Sequence, residues 1–104
     1  MTDYSVLSDI SINAMVSRKL YGEPSHEHRL ELVNQVVDYC NKPDDAMPII
    51  IENGISLECI IVNRHEKTWR AQFKSAYVKH HINHKNPLRA TMIVFLQMQE
   101  NNHD

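Results

Sequence analysis

The sequence has 104 residues, of which 42% are hydrophobic and 23% charged, with 2 glycines and 4 prolines, and this composition excludes a disordered or low-complexity chain. Its formal net charge of −2 excludes the overall positive charge that drives nonspecific binding to nucleic acid or anionic lipid. A chain of this length is expected to form a single domain, residues 1–104, around one core.

The first predicted element is a helix over residues 9–21. Ser8 can cap its N-terminus, and Gly22 followed by Pro24 ends it. Its apolar face is narrow, as is typical of a helix that lies on a surface, and comprises Ile12, Met15, Val16 and Leu20. Residues 23–28 are polar and are predicted to be a linker.

The next segment, residues 29–39, has an ambiguous pattern. Helical spacing is satisfied by Leu30, Val33, Val37 and Cys40. Extended structure around an Asn34-Gln35 turn is satisfied by Leu30, Leu32, Val36 and Val37. Periodicity alone does not decide between helix and strand.

A short helix is predicted over residues 45–53, after the chain break at Asn41-Lys42-Pro43. Asp44 or Asp45 can cap it, and Gly54 ends it. Pro48 is tolerated if it falls within the first turn, where its missing N–H is not needed.

Residues 57–62 and 68–73 are predicted to form an antiparallel hairpin. The first segment alternates imperfectly, as expected for a strand that is partly covered on both faces. The second alternates cleanly, with Trp69, Ala71 and Phe73 facing inward. Residues 75–85 are predicted to be a basic, His-rich connection.

The last predicted helix, residues 87–99, has the densest apolar content. Asn86 can cap it and Pro87 suits its first turn. The polar positions left for solvent are Arg89, Thr91, Gln97 and Glu100. A helix this apolar must be covered on most sides, so we expect it to be the central core helix. The fold class is therefore α+β: a small antiparallel sheet packed by helices in a sandwich-like domain.

The two cysteines, Cys40 and Cys59, are far apart and form no Cys-x-x-Cys motif, so they predict neither a disulfide framework nor a zinc site. Both lie among apolar residues and are expected to be small core side chains. No leader sequence or membrane span is recognisable, because no apolar stretch reaches the ~18 residues that a span needs. A reducing cytoplasm suits this chain best.

Three blocks of sequence occur in order and together cover roughly half of the chain. The first comprises Asp3-Tyr4-Ser5, Leu7-Ser8-Asp9 and Ile12-Asn13; the second runs from Val37-Asp38-Tyr39-Cys40-Asn41-Lys42-Pro43 to Asn53-Gly54-Ile55-Ser56; the third runs from Asn86-Pro87-Leu88-Arg89-Ala90 to Met92-Ile93-Val94-Phe95-Leu96. Together they resemble the NinX family of small lambdoid-phage proteins, although Met47 stands where such sequences tend to have Trp.

This resemblance implies a phage or prophage origin, a gene among the accessory genes of the nin region, and expression in the cytoplasm of the bacterial host. It implies no catalytic residues. It also favours extended structure over residues 36–39.

Within the His-rich run, His80 and His84 would share one face of a helix and could ligate a single metal ion. The run contains no Cys, Asp or Glu that would complete such a site. A solvated loop is therefore the favoured interpretation, and we expect no metal and no cofactor.

The same region offers a basic patch of Lys74, Lys79, Lys85 and Arg89, with Tyr77 nearby. Together with the N-terminus of the last helix, it could bind phosphate and therefore nucleic acid. Runs of charge are more often plain solvated surface, and the overall acidity of the chain also counts against binding.

The carboxylates Asp38, Asp44, Asp45 and Glu52 are concentrated in one stretch, but helix capping explains the paired aspartates. Tyr4, Tyr21, Tyr39 and Trp69 are expected at the rim of the core. Because no catalytic constellation is recognisable, we expect a non-enzymatic accessory protein that binds a host or phage protein. The alternative is a nucleic-acid-associated factor that uses the basic patch, and a homo-oligomer is compatible with either.

Overall fold

The computed structural model describes residues 3–101. In this range the chain has the predicted α+β class, with helices packed against an antiparallel sheet of three strands. After a short 3-10 helix, Tyr4–Val6, the elements are α1 Asp9–Tyr21, α2 His26–Val33, α3 Pro43–Asn53, β1 Ser56–Asn63, β2 Glu66–Lys74, β3 Lys79–His84 and α4 Pro87–Asn101.

Helix α1 has the predicted bounds. The hydroxyl of Ser8 accepts a hydrogen bond from the backbone N–H of Ser11 at 3.1 Å. At the other end, Gly22 has a φ of 81°, a conformation that favours glycine, and its N–H donates to the carbonyl of Arg18 at 2.8 Å. Both ends of α1 are therefore determined by local sequence.

Helix α2 corrects two predictions. The polar stretch 23–28 is not entirely a linker, because Ser25 accepts a hydrogen bond from the N–H of His28 at 3.2 Å and caps a helix. Residues 36–39 are not an extended strand either. The N–H groups of Val36 and Val37 both donate to the carbonyl of Glu31, at 2.8 and 3.3 Å, so the chain turns tightly there.

Helix α3 begins at Pro43, two residues before the predicted start. Because proline is favoured at the first helical position, Lys42 becomes the N-cap, and Asp44 and Asp45 lie in the first turn. The prediction that either aspartate caps the helix is therefore wrong. Pro48 lies inside the helix and not in its first turn. Gly54 ends α3 in the left-handed conformation, as predicted.

The predicted hairpin is confirmed as β1 and β2, with Leu57 opposite Ala71 and Cys59 opposite Trp69. The His-rich connection is wrong in part, because β3 occupies Lys79–His84 and pairs with β2. In β3 the half-buried residues alternate with exposed ones. Histidine fills two of the inward positions, so the alternation is not apparent from aliphatic residues alone.

Helix α4 is the central core helix, as predicted. It packs against β2 and β3 on one side and against α1 and α3 on the other. Its stretch from Arg89 to Leu96 is buried throughout, and Phe95 retains only 3% of its exposure. The sheet, α4 and the remaining helices therefore form three successive layers.

Strand β1 lies at the margin of this arrangement. Seven of its eight residues are exposed, which contradicts the prediction that it is partly covered on both faces. The thiol-bearing Cys59 is exposed as well, so only Cys40 is a core cysteine. The physical reason is position: α4 packs mainly on β2 and β3, and makes fewer contacts with β1.

Candidate functional site

A buried polar cluster joins the start of α1, the turn at residues 38–42 and the start of α4. The carboxylate of Asp38 accepts hydrogen bonds from the side-chain amides of Asn13, at 2.8 Å, and Asn41. The amide of Asn86 donates to the carbonyl of Cys40 at 2.8 Å. These contacts satisfy buried polar groups and fasten three distant parts of the sequence to one another.

Arg89 belongs to this cluster and not to the surface. Its side chain forms a 2.6 Å ion pair with Asp9 and donates hydrogen bonds to the carbonyls of Tyr4 and Leu7. Arg89 is only 8% exposed, so the prediction that it faces solvent and joins the basic patch is wrong. Thr91, also predicted to face solvent, is buried and donates to the carbonyl of Leu88.

The electrostatics of the cluster favour a structural role. Burial alone would raise the pKa of Asp9, but hydrogen bonds from Asn41 and Arg89 and the charge of Arg89 hold that pKa below 3.8. Burial, followed by the charge of Asp9, raises the pKa of the Cys40 thiol to about 12. The carboxylate thus stays ionised and the thiol stays protonated, so neither is prepared for acid–base or nucleophilic chemistry at neutral pH.

The two candidate metal ligands, His80 and His84, lie on one face of an extended strand. Four residues along a strand span about 13 Å, which is too far for both rings to bind one ion. The Nδ1 atom of His84 accepts a hydrogen bond from the N–H of Asn86 at 2.9 Å. Within residues 3–101, no three His, Cys, Asp or Glu side chains form a group that could hold a metal ion.

Of the predicted basic patch, the structure brings together Lys74 and Lys79, which are directly opposite each other in β2 and β3. Lys85 follows the other end of β3. In the turn between the strands, Tyr77 is 95% exposed. Lys74, Tyr77 and Lys79 therefore form a small surface, here called the basic turn, in which two like charges face each other across the strands.

The candidate carboxylates and aromatic residues are dispersed only in part. Asp38 is buried, whereas Asp44 and Glu52 are exposed. Among the aromatic residues, Tyr4 and Tyr39 are buried, Trp69 is half-buried and Tyr21 is exposed. Asp44, Asp45, Tyr21 and Tyr39 nevertheless line one open cavity of about 360 Å³, whereas Glu52 and Trp69 do not take part in it.

Sequence reasoning missed a hydrogen-bonded chain between α1 and α2. The Ser17 hydroxyl lies 2.5 Å from Nε2 of His28, and Nδ1 of His28 lies 3.1 Å from the carboxylate of Glu31. This order of groups occurs in hydrolases, but Ser17 is 1% exposed in the interior of α1, where a substrate carbonyl does not reach it. This series of hydrogen bonds fastens α2 to α1. It is not apparent from the sequence, because it depends on residues 26–33 being a helix.

A cavity of about 340 Å³ lies between the N-terminal segment, β3 and α4. Its walls include Tyr4, Ile82, His84, Ile93 and Gln97. The side-chain oxygen of Gln97 is buried and accepts no hydrogen bond from the part of the chain that the structure describes. The cavity has the size of a small-ligand site, and a group bound there would need a donor for this oxygen.

Large hydrophobic side chains are exposed in two regions in particular. One is the α2 apolar surface, defined as Leu30, Val33 and Val36. The other is β1, with Leu57, Ile61 and Val62. Exposed apolar residues that cluster in this way are typical of interaction surfaces.

Comparison with known families decides the family of the chain. The model of the family described as bacteriophage P22 NinX matches residues 3–99. The chain belongs to the NinX family. This NinX chain matches none of the curated proteins or solved structures with which it was compared.

Family membership confirms the resemblance seen in the sequence. The three blocks that carry the resemblance meet in the buried polar cluster, through residues such as Asp9, Asp38 and Arg89. In residues 3–101 of this NinX protein, no helix is both long enough and apolar enough to span a membrane.

Proposed function

We propose that this NinX protein is a non-enzymatic accessory protein of the phage, and that it acts in the cytoplasm of the bacterial host by binding a host or phage protein. The observation that carries the proposal is the α2 apolar surface. Helix α2 has one buried residue, Leu32, while Val33 is 61% exposed and Leu30 lies three residues before it, on the same side.

The anchoring of α2 to the rest of the fold supports its use as a docking element. Leu32 lies in the core, and the contact between Ser17 and His28 fastens the helix to α1, so the apolar side chains are presented without further ordering. A helix that presents apolar residues at such spacing fits a hydrophobic groove of a partner protein. The charged side chains of Glu27, Arg29 and Glu31 border this surface and would meet the polar rim of such a groove.

The buried polar groups support the non-enzymatic part of the proposal. Asp9, Asp38 and Arg89 are engaged in hydrogen bonds that join secondary-structure elements. Ser17 is enclosed and Cys40 is held as a thiol. These groups contact other parts of the chain, which supports a structural and not a catalytic role for them.

The test is capture of a partner from lysate of phage-infected host cells, followed by binding measurements with that partner in purified form. Val33→Lys is expected to weaken binding by tenfold or more, since it places a charge in the apolar contact. Val6→Lys is the matched control, because it makes the same change at another exposed valine, which lies on the 3-10 helix. Equal weakening by both variants, or none by either, would refute the α2 apolar surface as the docking site.

A second candidate function is association with nucleic acid through the basic turn. It is favoured by Lys74 facing Lys79, an arrangement that costs stability unless an anion lies between them. Binding to short DNA and RNA oligonucleotides should then weaken steeply between about 50 and 200 mM salt, and further on Lys79→Gln. Binding of a protein through the α2 apolar surface should change little over the same range of salt.

A further inference from the structure

Strand β1 is an edge strand with one open side. The strand order is β1-β2-β3, so within residues 3–101 no strand lies beside the outer edge of β1. Proteins usually protect such an edge with lysine, proline, a bulge or a short strand. β1 is eight residues long, has no Lys or Pro, and carries Glu58 as its one charge. Its irregularity is confined to the end, between Ile61 and Asn63.

One face of β1 continues the face of the sheet on which α4 packs. Leu57 is opposite the buried Ala71, Cys59 is opposite Trp69 and Ile61 is opposite Lys67, and directly opposed residues point to the same side. Helix α4 covers this face over β2 but contacts β1 much less, and Ile61 of β1 is 69% exposed. An apolar stripe therefore runs along the open edge.

We propose that β1 pairs with β1 of a second copy of this chain, antiparallel and about a twofold axis at Cys59, so that two three-stranded sheets become one of six strands. This surface is distinct from the α2 apolar surface. The proposed dimer and the proposed binding of a partner through α2 can therefore be tested independently.

The side chains of β1 support this register. With the axis at Cys59, each Leu57 lies beside Ile61 of the second copy, and each Glu58 lies beside Ile60. An axis at Glu58 would place two carboxylates directly opposite each other, which is unfavourable, and an axis at Ile60 would place Leu57 beside Asn63. A shift of one residue would put the apolar stripes of the two copies on opposite faces of the sheet.

The same self-complementarity favours a second copy over a strand of another protein. An antiparallel pair of seven residues adds about six backbone hydrogen bonds, whatever the sequence of the partner. The additional selectivity comes from the apolar stripe, which matches itself when read in the reverse direction. The near absence of charge on β1 leaves no electrostatic signal for a different partner.

The first test is the mass of the protein in solution, by light scattering after gel filtration over a range of concentrations. We expect twice the monomer mass at high concentration. Ile61→Lys is expected to give the monomer at every concentration, while Val6→Lys, with its charge at an exposed position on the 3-10 helix, keeps the dimer. Circular dichroism checks that both variants are folded.

The second test uses the thiol at the axis. Directly opposed residues of an antiparallel pair have Cα atoms about 4.5 or 5.5 Å apart, and both values lie within the range of disulfides. Diamide, which accepts the two electrons and two protons, should therefore link two copies through Cys59. The link should disappear with Cys59→Ser and remain with Cys40→Ser, because Cys40 is buried.

A wild-type protein that is monomeric at all concentrations overturns the proposal. It does so even if β1 is then found to pair with a strand of another protein. A dimer that survives Ile61→Lys, or one that diamide does not link through Cys59, overturns the assigned interface and register.

Discussion

Helix α4 and strand β1 are both rich in aliphatic side chains, yet they have opposite environments. The residues of α4 from Arg89 to Leu96 are buried, including one arginine, whereas β1 exposes seven of its eight residues. Apolar content therefore identifies an element but does not determine how much of it is covered. The position of an element in the layered fold determines how much of it is buried. Helix α4 lies between the sheet and the other helices, whereas β1 lies at the edge that α4 covers least.

The largest effect is expected for Phe95→Ala in α4. Phe95 is almost fully buried, so its truncation removes a large aromatic surface and leaves a cavity. Such changes typically cost about 3–5 kcal/mol of unfolding free energy, a large share of the ~5–15 kcal/mol of a whole domain. Urea denaturation measures this loss. A loss smaller than that of a substitution in β1 would contradict the central position of α4.

Arg89→Ala is expected to cost about 2–4 kcal/mol, because the variant removes the charged donor from Asp9, which keeps only its hydrogen bond from Asn41, and one donor each from the carbonyls of Tyr4 and Leu7. The value lies below that of a fully buried pair, since water reaches part of the Asp9 carboxylate. Arg18→Ala is the control: the ion pair of Arg18 with Glu23 is exposed, and its loss should cost no more than about 0.5 kcal/mol. Equal losses in urea denaturation would show that the buried contact contributes little.

The contribution of the contact between Arg89 and Asp9 to the free energy of unfolding should depend on pH. Because the pKa of Asp9 is lower in the folded chain than its ordinary value of 3.8, the carboxylate stabilises the fold above that value. This stabilisation is lost as the pH falls through the lowered pKa. The difference in unfolding free energy between wild type and Arg89→Ala should therefore shrink from pH 7 toward the pKa of the folded state. A difference that stays constant over this range would exclude Asp9 as the titrating partner.

The smallest effect is expected for Ile61→Thr in β1, which keeps a branched side chain on the strand. In dilute solution, where any dimer has dissociated, it should change the unfolding free energy by less than about 0.5 kcal/mol. Ile93→Thr is the matched change in α4, where Ile93 is 3% exposed, and it should cost about 2 kcal/mol because it places a hydroxyl group in the core. If the two losses were equal, the contrast between α4 and β1 would fail.

The elements that were predicted correctly are determined by residues within or next to them in the sequence. Ser8 and Gly22 determine the ends of α1, and the clean alternation from Thr68 to Phe73 determines β2. The family was also recognisable, because blocks of sequence that are separated along the chain match in order.

The elements that were missed depend on distant contacts. In β3, two of the three half-buried positions are histidines, and histidine in a sequence does not by itself predict burial. Their partial burial follows from the pairing of β3 with β2. The burial of Arg89 depends on Asp9, which is 80 residues away in the sequence. The α2 apolar surface and the cavity beside Gln97 could not be predicted, since each depends on how separate elements are arranged in space.

The contacts of Arg89 also bear on when the protein can fold during its synthesis. Its guanidinium holds the carbonyls of Tyr4 and Leu7, and the hydroxyl of Tyr4 donates to Glu100 at 2.5 Å, so the earliest described residues are fixed by the latest. A ribosome makes α4 after every element that packs on it. The nascent chain therefore carries α1, α3 and the sheet without their common core until α4 has left the exit tunnel. We therefore expect these elements to pack only once α4 is present, and a chain that terminates before residue 87 to remain unfolded.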